Sequence, residues 1–337
     1  MRVAVCGLGF MGLTHLKAWT RLNGVTLAAV SSDDPRALAG DLSGAAGNLG
    51  GTGAIFDFSG VTKYDDALAC VREPNADSVD LCLPTHLHAP VAIAALEAGK
   101  HVLVEKPMGL DAAECRRMID AARSARRLLM CAQVLRFFPA YLALINAVRG
   151  GKLGQIRHAL FRRRCAAPAW GGWLLDKSRS GGGVFDLLIH DIDMMHLLFG
   201  LPATVQAWGR EDLSNGIDLI TAQFNYPHFA VTVTGGWHHK KTYPFSMEYT
   251  VVGDAGAIEY SSAGRPPTLY PDGGGEEACP LPDQDGYEAE VAYFLDCCRL
   301  GTPVDRCMPK DSLAAVALAR LASQARLTPG EPQPCAL

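Results

Sequence analysis

Two hydrophobic rhythms run along this chain. Residues 2 to 6, Arg-Val-Ala-Val-Cys, form a short apolar run ending at glycines, and Leu13, Leu16 and Trp19 then recur at helical spacing. Val25 to Val30 and Ser78 to Leu83 read as further strands. A helix is predicted from about Leu87 to Ala98, a strand over His101–Val104, a helix from Asp111 to Arg126 and a strand over Leu128–Ala132. Strands alternating with helices specify a parallel, doubly wound sheet.

The rhythm changes after Arg136-Phe137-Phe138-Pro139, where a helix runs to about Val148. Period-two alternation follows in Ile156–Arg163, Val205–Arg210, Leu219–Phe224, Ala230–Gly235 and Met247–Val252, which suits an antiparallel sheet with helices on one face. Helices return near Tyr287–Leu300 and Asp311–Arg326. The predicted fold is α/β, with residues 1–132 as a doubly wound parallel domain and 133–337 as a second α/β domain. The open face of the second sheet is expected to leave a broad apolar area that association covers, as a homodimer or homotetramer.

The 337 residues suffice for about two domains of ~150 each. Apolar residues make up 49 %, enough for two cores, and the net charge of −4 shows no basic surface for nucleic acid. Eleven cysteines lie scattered without CxxC spacing, apart from the adjacent Cys297-Cys298, which fits reduced thiols in a cytoplasm. No apolar run is long enough to span a membrane, and the opening MRVAVCGLGF reads as a strand rather than a signal peptide.

Gly7-Leu8-Gly9-Phe10-Met11-Gly12 lies between the first strand and the first helix, the context in which GxGxxG binds a dinucleotide. Gly7 would allow the tight turn, Gly9 the approach of a pyrophosphate and Gly12 close packing of helix on strand. The helix N-terminus would present free N–H groups to the phosphates. About 20 residues on, where an acid would select NAD, the chain reads Ser31-Ser32-Asp33-Asp34-Pro35-Arg36. Ser32 with Arg36 would suit a 2′-phosphate, whereas Asp33 and Asp34 would repel it, so NAD and NADP both stay open. The glycine-rich stretch 40–53 is a long loop with no assigned function.

The segment GGGVFDLLIHDID, residues 181–193, is apolar nearly all round when wound as a helix, and such helices are buried. Asp186, His190 and Asp193 fall within ~60° of one another on it. Buried charge needs an offsetting cation, metal or ligand. His190, Asp193 and His196 recur every three residues, but the helix turns by ~240° from His190 to His196, so no metal site is expected. Asp186 also has a plainer reading, as a first-turn acid favoured by the helix dipole, and His190 one as a satisfied core histidine.

The glycine turn, Leu83-Pro84-Thr85-His86-Leu87-His88, Glu105-Lys106-Pro107, the Asp186/His190 pair and the tail Gly301-Thr302-Pro303-Val304 come in an order that resembles the Gfo/Idh/MocA oxidoreductase family. The resemblance implies a Rossmann domain followed by a domain with a large, open, mostly antiparallel sheet. It implies NAD(P)-linked oxidation or reduction of hydroxyl and carbonyl groups on sugars, cyclitols and related compounds. Lys106, Asp186 and His190 would be the catalytic set, with Lys106 also touching the nicotinamide ribose. Pro84, Thr85, His88 and Glu105 would border the cofactor, together with Phe10 and Met11 of the glycine turn. Leu83 stands where alanine or threonine is common, and Ser32 where an acid is expected.

Hydride transfer from a carbinol requires its hydroxyl proton to leave, a task suited to a neutral imidazole near pKa ~6.5. Asp186 would orient the His190 ring, and Lys106 would offset the acids and stabilise a developing alkoxide. Asp193 would support the ring from behind or meet substrate. Trp170, Trp173, Lys177 and Arg179 precede the glycines, where they would cover a sugar or form an ordinary surface loop. His238-His239-Lys240-Lys241 reads as a solvated strand end. Two other functions fit the same motifs. One is an enzyme that retains its cofactor and oxidises transiently, as in glycoside cleavage. The other is a nucleotide-sensing regulator, against which the three intact catalytic candidates argue.

Overall fold

The computed structural model describes residues 1–45, 47, 53–169 and 172–336. The chain divides into two compact units, Met1–Val134 with Asp285–Leu313, and Leu135–Gln284 with Ala314–Leu337.

The first unit begins with β1 (Arg2–Cys6), α1 (Phe10–Arg21), β2 (Thr26–Ser31) and the one-turn α2 (Pro35–Leu38). It continues through β3 (Thr62–Tyr64), the one-turn α3 (Ala67–Cys70), β4 (Ser78–Leu81), α4 (His88–Glu97), β5 (His101–Glu105), α5 (Ala112–Ala125) and β6 (Leu129–Ala132). The six strands are all parallel in the order β3-β2-β1-β4-β5-β6. The order reverses between β1 and β4, and in such sheets ligands bind beyond the strand ends at that switch point. The sheet is covered on both faces, so β4 and β6 are buried along their whole length rather than at alternate positions. Helix α5 starts where Asp111 accepts the Glu114 N–H at 2.8 Å, while the Glu114 carboxylate accepts the Leu110 N–H at 2.8 Å. Part of the glycine-rich stretch, 46 and 48–52, lies outside the described residues.

The second unit contains α6 (Pro139–Arg149), β7 (Ile156–Ala166), α7 (Lys177–Ser180) and α8 (Ile189–Phe199). Strands β8 (Thr204–Asp212), β9 (Ile217–Asn225), β10 (Ala230–His239), β11 (Ser246–Gly253), β12 (Gly256–Ser261), β13 (Arg265–Pro271) and β14 (Glu277–Ala278) follow. The chain then returns to the first unit as α9 (Gly286–Leu300) and ends in α10 (Pro309–Ala325), which contributes to both units, and β15 (Gln333–Pro334) in the second. The nine strands run β14-β13-β12-β11-β7-β10-β9-β8-β15, antiparallel throughout except for the β7–β10 pair.

The return of α9 differs from a simple division at 132. Trp19 of α1 meets Phe294 edge-on at 6.4 Å and Arg21 pairs with Glu288 at 3.2 Å, so α9 completes the apolar side of α1.

The sheet of the second unit corrects the expectation of an apolar open face. On β7, Ala159, Phe161, Arg163 and Cys165 are buried, while Leu160, Arg162 and Arg164 alternate with them on the other side. That side carries the Glu248 carboxylate between Arg162 and Arg164, and a Thr221–Thr234 hydroxyl pair at 2.7 Å. One face polar and one buried is the pattern of a sheet packed on one side only.

Candidate functional site

The β1–α1 turn is built for close backbone approach. Gly7 has φ +90°, and a Cβ there would lie 2.3 Å from the Cys82 carbonyl oxygen. A Cβ on Gly12 would lie 1.9 Å from the Gly7 carbonyl oxygen, so helix and turn touch at a distance only glycine permits. At Gly9 a Cβ would meet nothing within 4 Å among the described residues, which leaves room at the helix entrance. Gly9 itself caps α1, with no side-chain cap and no acid in the first turn. Donors, dipole and space therefore fit a dinucleotide pyrophosphate. Phe10 and Met11 are half-buried beside it.

Past β2, the Ser32 hydroxyl accepts the Asp34 N–H at 3.1 Å, and Asp34 caps α2 through the Arg36 N–H at 2.9 Å. The Arg36 guanidinium turns back onto Asp34 at 3.1 Å, and that pairing holds the Asp34 carboxyl below its usual range. Asp33 is exposed.

The residues around Lys106 are tied inward rather than outward. His88 is buried, with Nδ1 2.8 Å from the Pro107 carbonyl and Nε2 2.8 Å from the Leu83 carbonyl, so it joins the loop after β4 to the loop after β5. Thr85 is buried in the 3₁₀ turn Thr85–Leu87 that follows Pro84. Glu105 turns its carboxylate to the interior: Oε1 lies 3.1 Å from His15 Nε2, and Oε2 accepts the Lys106 N–H at 3.0 Å. His88 and Glu105 thus support the loops that follow β4 and β5.

His15 was not a sequence candidate. A signal was present: a lone acid, Asp80, sits inside the apolar strand Ser78–Leu81 and requires a buried partner. That partner is His15, three residues past Gly12 on α1, with Trp19 one turn further donating its indole N–H to Asp80 at 2.6 Å.

In the second unit the segment after Gly181-Gly182-Gly183 is not one regular helix. Val184–Leu188 forms a π-helical turn, and α8 begins only at Ile189. Such turns widen the helix by one residue and recur at functional sites. Asp218 of β9 fixes the entry, accepting the Val184 N–H at 3.3 Å while Arg326 pairs with its other oxygen. Between positions 182 and 195 only Asp186 and His190 are not fully buried.

Asp193 leaves the set of substrate contacts. It is 1 % exposed, and both its oxygens are held by the Arg136 guanidinium at 2.6 and 2.9 Å. The π-helical turn lies between the glycines and α8, so a regular 100° wheel does not describe this segment. Asp191 is buried as well, gripped by Arg163 at 2.8 and 3.0 Å, with the Tyr141 hydroxyl 3.1 Å from the same guanidinium. Arginines therefore neutralise two of the acids in this segment, and Asp186 and His190 are left as its accessible polar pair.

The loop before the glycines is ordered by its own contacts. Asp176 caps α7 through the Ser178 N–H at 2.9 Å, and Lys177 pairs with Glu211 at 2.7 Å. Trp173 packs on the cluster of Cys165, Leu174, Leu187 and Trp237, which gives it a packing role. Arg179 is half-buried. Trp170 lies outside the described residues.

The switch-point sheet with its glycine turn defines the first unit as a dinucleotide-binding fold, here joined to a one-sided mixed sheet. A model described as "Oxidoreductase family, NAD-binding Rossmann fold" matches residues 1–133, and one for the GFO/IDH/MocA C-terminal domain matches 141–259. The chain belongs to the Gfo/Idh/MocA oxidoreductase family. It is 32 % identical over 205 residues to the myo-inositol 2-dehydrogenase of Thermotoga maritima, covering 59 % of this chain and 55 % of that protein. It is 32 % identical over 251 residues to the trans-1,2-dihydrobenzene-1,2-diol dehydrogenase of Bos taurus, covering 71 % of each. The chain spans about half the length of the first curated relatives it matches. A levoglucosan dehydrogenase solved with NADH and levoglucosan shares the fold, with a TM-score of 0.85 at 19 % identity over 100 % of both chains. No helix among the described residues is long and apolar enough to cross a membrane.

Proposed function

We propose that this protein is an NAD(H)-dependent oxidoreductase that interconverts a hydroxyl and a carbonyl on a sugar, cyclitol or related polyol. The observation that carries this reading is the accessible Asp186/His190 pair in an otherwise buried segment whose neighbouring acids are already paired. The nicotinamide, when bound, supplies or accepts the hydride. Gly7, Gly9 and Gly12 leave room for its pyrophosphate, and the N–H groups at the start of α1 receive the phosphate oxygens. His190 takes the hydroxyl proton in the oxidative direction and returns it in the reductive one. Asp186 sets the ring's orientation, and the Lys106 ammonium stabilises charge developing on the substrate oxygen. Arg179 is the remaining candidate for a substrate hydroxyl.

NAD(H) is preferred over NADP(H) in this reading. Arg36, the cation a 2′-phosphate would need, is already satisfied by Asp34, and Asp33 adds an exposed negative charge beyond β2. Titrating nucleotide-stripped protein is expected to give a dissociation constant for NADH at least about tenfold below that for NADPH, a difference of ~1.4 kcal/mol. Rapid exchange of the bound nucleotide, followed by NADH formation in a panel of polyols and sugars, supports a dehydrogenase. Nucleotide that does not exchange, or binding of neither dinucleotide, overturns it.

The open face of the nine-stranded sheet is proposed as the surface of a homodimer or homotetramer, joined through its threonines and charged side chains rather than by apolar area. Light scattering is expected to give a whole multiple of the chain mass. The mass of one chain at micromolar concentration overturns this.

A further inference from the structure

The first unit holds a chain of buried charge that the proposed reaction does not use directly. Asp80 on β4 and Glu105 on β5 are both acids in the interior, and His15 on α1 lies between them, 0 % exposed. Its Nδ1 is 2.9 Å from Asp80 Oδ2, and its Nε2 is 3.1 Å from Glu105 Oε1. A carboxylate only accepts, so the Nδ1 facing Asp80 carries a proton, while Nε2 approaches the Glu105 carboxylate without hydrogen-bond geometry, as a contact of charge. Burial, the largest influence, opposes that charge, yet the Asp80 carboxylate beside the ring holds His15 protonated well above the usual histidine range. The groups around it are Asp80 and Cys82 from β4 and the loop beyond, Glu105 from β5, and Tyr287 from α9. Burial pushes the Cys82 thiol up, so it remains a neutral thiol.

The far end of this chain reaches the site. Glu105 Oε2 accepts the main-chain N–H of Lys106 at 3.0 Å. We propose that His15 is a positioning residue for Lys106: its imidazolium, hydrogen-bonded to Asp80 and 3.1 Å from Glu105, holds by its charge the carboxylate that receives the Lys106 N–H. The same ring brings α1, which opens at the glycine turn, close to the end of β5. One buried cation therefore lies at the root of the lysine. This inference rests on the reading of Lys106 as a group that meets cofactor and substrate.

The test uses the full-length protein with lysines reductively methylated by ¹³C-formaldehyde, the Lys106 signal being assigned by its loss in Lys106→Arg. NADH is the probe. In wild type the Lys106 signal is expected to move on adding NADH. His15→Gln keeps a polar side chain but removes the cation. It is expected to displace the Lys106 signal before NADH is added and to abolish its response, while the NADH dissociation constant changes by no more than about threefold. Glu105→Gln is expected to do the same, and the double variant to add nothing, since residues acting through one link are not additive. Glu105→Gln also reads the link from its other end should His15→Gln fail to fold.

A Lys106 signal left in place by His15→Gln, or displacements that add in the double variant, overturn the proposal. One metal ion per chain in wild type, lost in His15→Gln, overturns it as well, because a ring protonated on both nitrogens cannot be a ligand. If the wild-type signal ignores NADH, the reading of Lys106 itself fails. The link from His15 is then still judged by whether the two variants displace the signal without nucleotide.

Discussion

His190→Ala is expected to lower turnover by about 10²–10⁴-fold, the usual contribution of a positioned general acid–base. The reason lies in what the chain leaves accessible. In the segment 182–195 the aliphatic side chains are buried, Asp191 and Asp193 are locked to arginines, and only Asp186 and His190 have access to solvent. NADH affinity is expected to stay within about threefold of wild type, because the dinucleotide is held by the turn Gly7–Gly12. Loss of turnover with intact nucleotide binding marks a group that acts on the transition state rather than on ground-state binding. The check is the rate of NADH formation with the best polyol from the panel, beside a fluorescence titration with NADH. Wild-type turnover in His190→Ala would remove the imidazole from the mechanism.

The largest effect on stability is expected from Arg136. Its guanidinium grips both oxygens of Asp193, with the two side chains only 2 % and 1 % exposed. Arg136→Ala strands a carboxylate in the interior, which costs about 3–5 kcal/mol. At roughly 2–4 °C per kcal/mol for a unit of this size, the melting temperature is expected to fall by about 6–20 °C. Replacing both partners with apolar residues, Arg136→Met with Asp193→Leu, is expected to recover most of that loss, because no buried charge is then left alone. Thermal melts of the three proteins decide it. A single variant that melts with wild type would show that the pair contributes nothing net.

These two residues also mark where the sequence was readable. Gly7, Gly9 and Gly12 were legible because their roles are local: a tight turn, a phosphate's approach and a helix contact all fall within six residues. Asp193 was misplaced because its partner lies 57 residues away, and no helical wheel contains Arg136. The π-helical turn at Val184–Leu188 was hidden for a related reason. Its entry is held by Asp218, from a strand formed after α8.

His15 escaped notice as one polar residue on an apolar helix face, although Asp80 in its strand called for a cation. The open sheet face was legible in detail, in the alternation of Leu160, Arg162 and Arg164 with buried residues, yet its chemistry was misjudged as apolar. The return of α9 left no sequence mark of its own. It depends on Trp19 meeting Phe294, a contact between residues 275 positions apart.

That return has a consequence for synthesis. Residues 1–134 leave the ribosome with every strand of the parallel sheet, but without the helix that covers the Trp19 side of α1. Position 285 follows some 150 residues later, and at ~5–20 residues per second the gap lasts roughly 8–30 s. Throughout that interval the nascent unit leaves the Trp19 side of α1 without the helix that covers it. It is then a client for whatever chaperone stands at the exit tunnel, and its last helix arrives as a plug.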